Sequence, residues 1–121
     1  MTSRFSPGHP ERSKFQGIPV YARLVLDLVD TIPPGRVMAY GDIAEWLDQG
    51  TARLVARVMS THGGDEVPWW RVLRADGTCA AEVANRQLPL LDAERVAWKV
   101  PGHRVDMTTA RWNPPSPGAP K

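Results

Sequence analysis

The sequence predicts a mainly helical α+β domain, and two observations support that prediction. Apolar residues recur at helical spacing in several short segments between residues 19 and 97. Two of these segments are separated by the tight turn Asp48-Gln49-Gly50, and the later Asp76-Gly77 pair is typical of a β-hairpin turn. Two short helices joined by a turn and followed by a hairpin form a winged helix-turn-helix. The predicted fold is therefore α+β, mainly helical, with a winged helix-turn-helix.

Length and composition limit the function classes that need to be considered. The chain has 121 residues, a net charge of +2 and one cysteine, Cys79, which excludes an internal disulfide and a multi-cysteine zinc site. It has no apolar run of about 18 residues, and its first residues show no apolar signal segment. We expect a cytoplasmic monomer with no membrane contact, no metal and no cofactor.

Proline and glycine divide the chain into three parts. Residues 1–18 carry Pro and Gly among charges, which predicts a flexible N-terminal lead. Residues 19–97 form the predicted domain, and residues 98–121 form a C-terminal extension with a Pro-rich tail from Asn113. Trp98, Val105 and Trp112 are the residues expected to pack this extension against the domain.

The first predicted helix begins near Pro19. It has a single apolar stripe, from which Asp27 and its charged neighbours are excluded; the stripe consists of Tyr21, Leu24, Val25, Leu28, Val29 and Ile32. The sequence Pro33-Pro34-Gly35 ends the helix, and Arg36-Val37-Met38 is predicted to be extended.

The next two helices are the candidates for contact with nucleic acid. Residues 40–47 form the first, with Ile43, Ala44 and Leu47 facing inward. Thr51 is placed to cap the second with its hydroxyl. That helix has one apolar stripe, Leu54, Val55, Val58 and Met59, and an opposite face of Ala52, Arg53, Ala56, Arg57 and Ser60. Small residues with two arginines suit close approach to a nucleic-acid groove, but a solvated helix face with incidental arginines fits the pattern equally well.

The sequence Pro68-Trp69-Trp70-Arg71-Val72 follows a Gly-containing loop. Adjacent indoles form either a part of the core or a platform for a planar ligand. Val72-Leu73 and the Asp-Gly turn then predict the hairpin. Residues 86–96 predict a further helix that is interrupted by Pro89, with core candidates Leu90, Leu91, Ala93, Val96 and Ala97.

Five separated pieces together resemble one family. They are residues 32–37 (Ile-Pro-Pro-Gly-Arg-Val), 40–44 (Tyr-Gly-Asp-Ile-Ala), 52–55 (Ala-Arg-Leu-Val), 68–72 with Gly77, and 90–94 (Leu-Leu-Asp-Ala-Glu). In order and spacing the chain resembles the DNA-binding domain of the 6-O-alkylguanine-DNA alkyltransferases, and more closely their alkyltransferase-like relatives. The resemblance covers residues 19–97, and it is the combination of the pieces that is specific.

The resemblance implies that the chain has lost the chemistry of the enzymes. Their active-site motif reads Pro-Cys-His-Arg-Val, and Trp69 stands at the position of the alkyl-accepting Cys while Trp70 stands at that of the relay His. An indole has no thiolate with which to displace an alkyl group. Glu94 matches the acidic end of the relay and is expected to be a structural helix residue. The chain is therefore predicted not to be an enzyme.

The resemblance is stronger for the residues that contact DNA in the family than for those that carry out the reaction. Tyr40 matches the tyrosine that presses on a phosphate beside the target nucleotide, and Arg53 the arginine that fills the gap left by a flipped base. The alternatives are a helix-entry aromatic for Tyr40 and a solvated arginine for Arg53. The predicted DNA-contacting residues are Tyr40, Thr51, Ala52, Arg53, Ala56 and Arg57. The predicted lesion pocket contains Tyr40, Trp69, Trp70, Arg71 and Arg86, with Trp69 lining it and Trp70 more buried.

Two neighbouring positions depart from the family. Glu82 falls where some relatives have an arginine that caps the pocket, and Arg86 is the nearest basic residue that could replace it. His62 falls where the enzymes often have an Asn, and it is expected to be exposed.

The implied function is non-enzymatic recognition of DNA damage. The protein would bind duplex DNA containing 6-O-alkylguanine in the minor groove, flip the base beside Trp69 and mark the lesion for proteins of nucleotide excision repair. Three alternatives remain open: an active alkyltransferase that uses Cys79, a winged-helix transcriptional regulator, and a winged helix that binds only proteins. A buried bystander is the favoured interpretation of Cys79.

Overall fold

A computed structural model describes residues 14–115, and it confirms the predicted mainly helical α+β fold. The helices are α1 (Val20–Val29), α2 (Tyr40–Leu47), α3 (Ala52–His62), α4 (Ala84–Ala93) and α5 (Met107–Ala110). The strands are β1 (Met38–Ala39), β2 (Val72–Leu73), β3 (Trp98–Val100) and β4 (Arg104–Val105), and a 3-10 turn spans Trp69–Arg71. Within the described part of the chain, no helix has the length and hydropathy needed to cross a membrane.

The buried side chains form two hydrophobic clusters. Cluster 1 lies between α1, α2 and α3 and includes Val25, Leu26, Ile43 and Val55. Cluster 2 joins the later part of the chain and consists of Val37, Leu73, Cys79, Leu91, Val96, Val105 and Ala110. Trp69 packs against cluster 1, whereas Trp70 packs against cluster 2. The tryptophan pair therefore lies where the two clusters meet.

Helix α1 is buried over a wider surface than its apolar stripe predicts. Asp27, predicted to lie outside the buried face, is only 5% exposed, and Leu26 beside it is fully buried. Phe15, from the segment before the helix, is also buried in cluster 1. Lys14 beside it donates to the Glu66 carbonyl at 3.0 Å. Residues 14–18 of the predicted lead thus belong to the folded domain, while residues 1–13 lie outside the described residues.

The predicted helix-turn-helix is present as α2 and α3. Asp48 (φ 59°) and Gly50 (φ 83°) adopt left-handed backbone conformations in the turn between them. The hydroxyl oxygen of Thr51 accepts a hydrogen bond from the Leu54 N–H at 3.1 Å, which confirms the predicted cap. Val55, Val58 and Met59 are buried as predicted, but Leu54 is 38% exposed. The first turn of α3 extends past the edge of cluster 1, so the prediction was wrong for Leu54.

The predicted hairpin after the tryptophans is replaced by a different pairing. Strand β2 pairs in parallel with β1, so that Met38 lies opposite Val72 and Ala39 opposite Leu73. The Asp76-Gly77 turn does form, because the Gly77 N–H donates to the Arg74 carbonyl at 2.9 Å. The pairing with β1 gives backbone partners to a segment whose side chains, Val72 and Leu73, are both buried.

The hairpin is instead formed by the antiparallel strands β3 and β4 of the C-terminal extension. The Val105 N–H donates to the Gly77 carbonyl at 2.9 Å, so this hairpin lies on the predicted wing turn. Val105 is 1% exposed, and Trp98 and Trp112 pack against clusters 2 and 1. The prediction that these three residues dock the extension is therefore confirmed. Residues 116–121 of the Pro-rich tail lie outside the described residues.

Helix α4 faces the core with residues other than those predicted. Leu91 and Val96 are buried, but Leu90 is 38% exposed and Ala93 is also exposed. The buried partner of Leu91 on the helix is Gln87, whose amide donates to the Trp70 carbonyl at 3.0 Å and to the Val72 carbonyl at 2.9 Å. Hydropathy does not identify Gln87 as a core residue, because its burial depends on these two carbonyls.

A charged network centred on Glu94 joins the two halves of the chain. Its carboxylate accepts from Trp70 Nε1 at 2.9 Å, from Arg71 Nε at 3.0 and 3.1 Å, and from the Gly35 N–H at 3.1 Å. Arg71 also donates from Nη1 to the Ile32 carbonyl at 2.7 Å. Burial acts to raise the pKa of Glu94, but the hydrogen bonds from Arg71, Trp70 and Gly35 outweigh it and lower the pKa.

Replacing Gly77 by Ala should lower the free energy of unfolding by about 3 kcal/mol. Gly77 has φ +88°, and an added Cβ would lie 2.3 Å from the Val105 carbonyl oxygen, so the hairpin must move. Gly102→Ala is the matched control: its φ is +75° with no atom within 4 Å, so only about 1 kcal/mol of backbone strain is expected. Urea denaturation followed by tryptophan fluorescence measures both. Equal losses would contradict the docking of the hairpin on this turn.

Replacing Glu94 by Gln should lower the free energy of unfolding at pH 7 by about 2 kcal/mol, because charge-assisted hydrogen bonds become neutral ones. The lowered pKa of Glu94 means that its stabilisation is present above the ordinary value of 4.5 and is lost as pH falls through the folded-state value. The difference between wild type and variant should therefore shrink as the pH is lowered below 4.5.

Denaturant titrations across this pH range measure the effect. Glu45→Gln, an exposed glutamate on α2, is the control and should change stability by less than about 0.5 kcal/mol at every pH. A constant difference between wild type and Glu94→Gln down to pH 3 would contradict the assignment.

Candidate nucleic-acid interface

One open cavity of about 1270 Å³ brings together most of the residues predicted to handle DNA. Its wall is formed by one face of α3, the loop that follows α3, the start of α2 and the N-terminal part of α4. Pockets that bind drug-sized ligands measure roughly 300–1,000 Å³. This cavity therefore has room for a nucleobase and part of the attached sugar-phosphate backbone. It is lined by Tyr40, Ala52, Arg53, Ala56, Arg57, Met59, Ser60, Gly63, Gly64, Asp65, Trp69, Val72, Arg74, Ala80, Glu82, Val83, Arg86 and Gln87.

The exposed face of α3 forms one side of the cavity. All five residues predicted for that face line it, namely Ala52, Arg53, Ala56, Arg57 and Ser60. Thr51, the remaining predicted DNA contact on this element, is the exposed cap at the start of the helix and is not among the lining residues. The alanines leave the helix backbone accessible, and the two arginines lie one helical turn apart.

Positive charge predominates along the lining. Four arginines, at positions 53, 57, 74 and 86, outnumber the two carboxylates, Asp65 and Glu82. One of these carboxylates already has a partner, because Asp65 Oδ1 accepts from Trp69 Nε1 at 3.2 Å. A concave surface with excess arginine attracts polyanions and offers planar donors to phosphate oxygens.

Trp69 and Arg86 meet inside the cavity. The Arg86 guanidinium carbon lies 5.1 Å from the centroid of the Trp69 ring, within the range of a cation–π interaction. Trp69 is held from behind by cluster 1 and at its edge by Asp65. The half-buried indole and the guanidinium over it place an aromatic ring and a cation together in the cavity.

Trp70 and Arg71, which the sequence groups with the pocket, are not among the described residues that line the cavity. The Trp70 ring meets Trp69 edge to face at 6.0 Å and 87°, and it packs against cluster 2. Its N–H and the Arg71 guanidinium are both directed to Glu94. The polar groups of these two side chains thus find partners behind the cavity wall and hold the turn that carries Trp69.

Tyr40, the first residue of α2, lies between the core and the cavity. It packs against cluster 1 and also lines the cavity. Burial raises the pKa of its phenol, Cys79 and Glu82 act in the same direction, and Arg74 opposes them. The hydroxyl therefore keeps its proton at neutral pH and is able to donate a hydrogen bond to an anionic oxygen.

Cys79 is buried in cluster 2 and is absent from the described cavity lining. Burial raises the pKa of its thiol to about 11, with Arg74 opposing the shift. The thiolate needed for nucleophilic attack is therefore scarce at neutral pH. The buried position agrees with the favoured interpretation of a bystander cysteine. His62, expected to be exposed, ends α3 and is half-buried.

Sequence reasoning missed some residues of the cavity. Arg74 contributes a fourth arginine, and Asp65 fixes the edge of the indole. The sequence does indicate a contact of Asp65 with Trp69, since Asp65 precedes it by four residues in a Gly-containing loop. Arg74 carried no signal, because its position depends on the parallel pairing of β2 with β1.

Comparison with known proteins identifies the family. The family described as 6-O-methylguanine DNA methyltransferase, DNA binding domain, matches residues 20–96. The chain is 32% identical over 108 residues to a DNA base-flipping protein of Escherichia coli K12, covering 86% of this chain and 83% of that protein. A DNA base-flipping protein of Shigella flexneri matches with the same identity and coverage.

Solved structures give the same answer. The chain is 30% identical to S. pombe Atl1 in a crystal structure with damaged DNA containing O6-carboxymethylguanine, with a TM-score of 0.67. The match covers 78% of this chain and 95% of that one. A second structure of the S. pombe protein with DNA has a TM-score of 0.66, 30% identity and the same coverage. This chain therefore belongs to the family of the 6-O-methylguanine DNA methyltransferase DNA-binding domain, and within that family it is an alkyltransferase-like protein.

Proposed function

We propose that this protein recognises alkylated guanine in duplex DNA without carrying out a reaction on it. The observation that carries the proposal is the cavity, in which the arginine-bearing face of α3 adjoins a Trp69 wall that has no nucleophile. The relatives support it, since two are named as base-flipping proteins and another is bound to damaged DNA. Duplex DNA is accordingly the partner.

Helix α3 contacts the duplex in this proposal. Ala52 and Ala56 allow the helix backbone to approach the groove, and Thr51 at the helix start lies near the phosphates. Arg57 contributes charge one turn along the helix. Arg53 enters the stack where the target base has left, stacking on its neighbours and pairing with the orphaned base. Tyr40 donates a hydrogen bond from its phenolic O–H to the phosphate beside the flipped nucleotide.

The flipped guanine occupies the cavity against the Trp69 indole. Its ring packs beside the indole and the Arg86 guanidinium, whose carbon lies 5.1 Å from the centroid of the indole ring. An apolar alkyl group on the 6-oxygen favours this environment over water. Trp70 and Arg71 contribute by holding the Trp69 turn through Glu94.

The absence of transfer chemistry is the second part of the proposal. Trp69 and Trp70 occupy the positions where the family's enzymes have the acceptor Cys and its His, and an indole cannot accept an alkyl group by displacement. Cys79 is a poor substitute, because burial raises its pKa to about 11. A protein that holds the flipped base without repairing it marks the lesion. Transfer of the lesion to nucleotide excision repair proteins, and action as a monomer, remain predictions from the family resemblance.

Competition binding is the direct test of this function. A duplex with one 6-O-methylguanine should compete for the protein at least tenfold better than the same duplex with guanine, because a weakened base pair costs less to open. Intact mass measured after incubation should be unchanged. A gain of one methyl on Cys79 would establish an alkyltransferase instead. Equal affinity for both duplexes with a strong preference for one sequence would favour a transcriptional regulator.

Replacing Arg53 by Ala should weaken binding to the lesion duplex about tenfold or more, because the gap in the stack is left empty. Binding to the plain duplex should fall much less. Arg57→Ala is the matched control, one turn away on the same helix face, and it should weaken binding to both duplexes to a similar extent. If the two variants lose lesion selectivity equally, Arg53 is not the residue that enters the duplex.

A further inference from the structure

The C-terminal hairpin β3–β4 lies outside the region that matches the family domain, and it is strongly basic. Residues 95–105 contain Arg95, Lys99, Arg104 and one histidine, and they include no acidic residue. The tip, residues 99–104, is exposed throughout. In a chain whose net charge is only +2, this concentration of positive charge on one projecting element is notable.

The cations of the hairpin are exposed although its base packs on the domain. Trp98 lies opposite Val105, and both pack against cluster 2. Val100 lies opposite Arg104, and a bulge between Trp98 and Val100 interrupts the alternation of side chains on β3. Lys99, Val100 and Arg104 are all exposed.

The carboxylates nearest along the chain form hydrogen bonds within the fold. Asp92 accepts from Trp98 Nε1 at 3.1 Å, and Asp106 caps α5 by accepting from the N–H groups of Thr108 and Thr109. Glu94 is bound to Arg71 and Trp70. None of these three carboxylates is hydrogen-bonded to Lys99 or Arg104 in the described part of the chain.

The hairpin also adjoins the cavity. It lies on the turn between Arg74 and Thr78 through the bond from the Val105 N–H to the Gly77 carbonyl, 2.9 Å long. Arg74, which begins that turn, lines the cavity. The pKa of Asp76, at the exposed tip of the turn, is lowered first by hydrogen bonds from Thr78 and then by Arg104 and Arg74. Arg104 of the hairpin and Arg74 of the cavity thus both act on the same exposed carboxylate.

We infer that the β3–β4 hairpin is a second contact with the duplex, in which Lys99 and Arg104 bind backbone phosphates beside the site of the flipped base. The expected partner is a polyanion with regularly spaced phosphates. The duplex that is proposed to bind α3 provides such phosphates. The inference rests on the proposed function for that partner. It adds an element that contributes affinity without reading the lesion.

The test compares Lys99→Gln/Arg104→Gln with the charge-preserving pair Lys99→Arg/Arg104→Lys. Fluorescence anisotropy measures binding to lesion and plain duplexes from 50 to 200 mM salt, a range in which phosphate contacts are strongly screened. Removal of two phosphate contacts should reduce the slope of log K against log salt by about two and weaken both duplexes alike. The loss should be roughly tenfold larger at 50 than at 200 mM salt. The charge-preserving pair should retain the wild-type slope.

Each result has one interpretation. An unchanged slope in the Gln pair, or equal losses in both pairs, would overturn the hairpin contact, and thermal melting of both variants checks that the hairpin still folds. The ratio of lesion to plain affinity tests the proposed function separately. If wild type shows no lesion preference, that function fails, while the salt slope still reports whether the hairpin contacts the duplex.

Discussion

The interaction on which the rest of the structure depends is the contact of Glu94 with Arg71 and Trp70. It ties the end of α4 to the turn that carries both tryptophans, and through the Gly35 N–H it also reaches the segment after α1. The groups are only partly exposed, with 13% of the Arg71 side chain and 16% of the Glu94 side chain accessible. A charge pair desolvated to this degree must keep its partners, because either charge left alone would be costly.

This network explains how an aromatic pair serves two purposes at once. Trp70 faces cluster 2 and satisfies its N–H on Glu94, whereas Trp69 faces the cavity and satisfies its N–H on Asp65. The two rings meet edge to face, so Trp70 packs directly against Trp69. Trp69 thus forms part of the cavity wall, and Trp70 supports it.

In the two proposals, the cavity and the C-terminal hairpin divide the task of binding DNA. Trp69, Arg53 and Arg86 line the cavity, where the proposed function places recognition of a flipped base and of the gap that it leaves. The cations of the hairpin lie farther out, on an element that docks through Val105 and Gly77. Specific contacts and general electrostatic attraction therefore come from different parts of the chain, as is common in proteins that bind nucleic acid.

The sequence by itself determined the local features: helices α1 to α3, the Thr51 cap, the small-and-arginine face of α3, and the indole at Trp69. These follow from periodicity, capping chemistry and motif order, all of which operate over a few residues. Only the tertiary structure decided that β2 pairs with β1, that Gln87 is buried, and that Trp70 and Arg71 lie behind the cavity wall. Each of these features depends on partners between 15 and 39 residues away in the chain. A local sequence pattern carries no information about such distant partners.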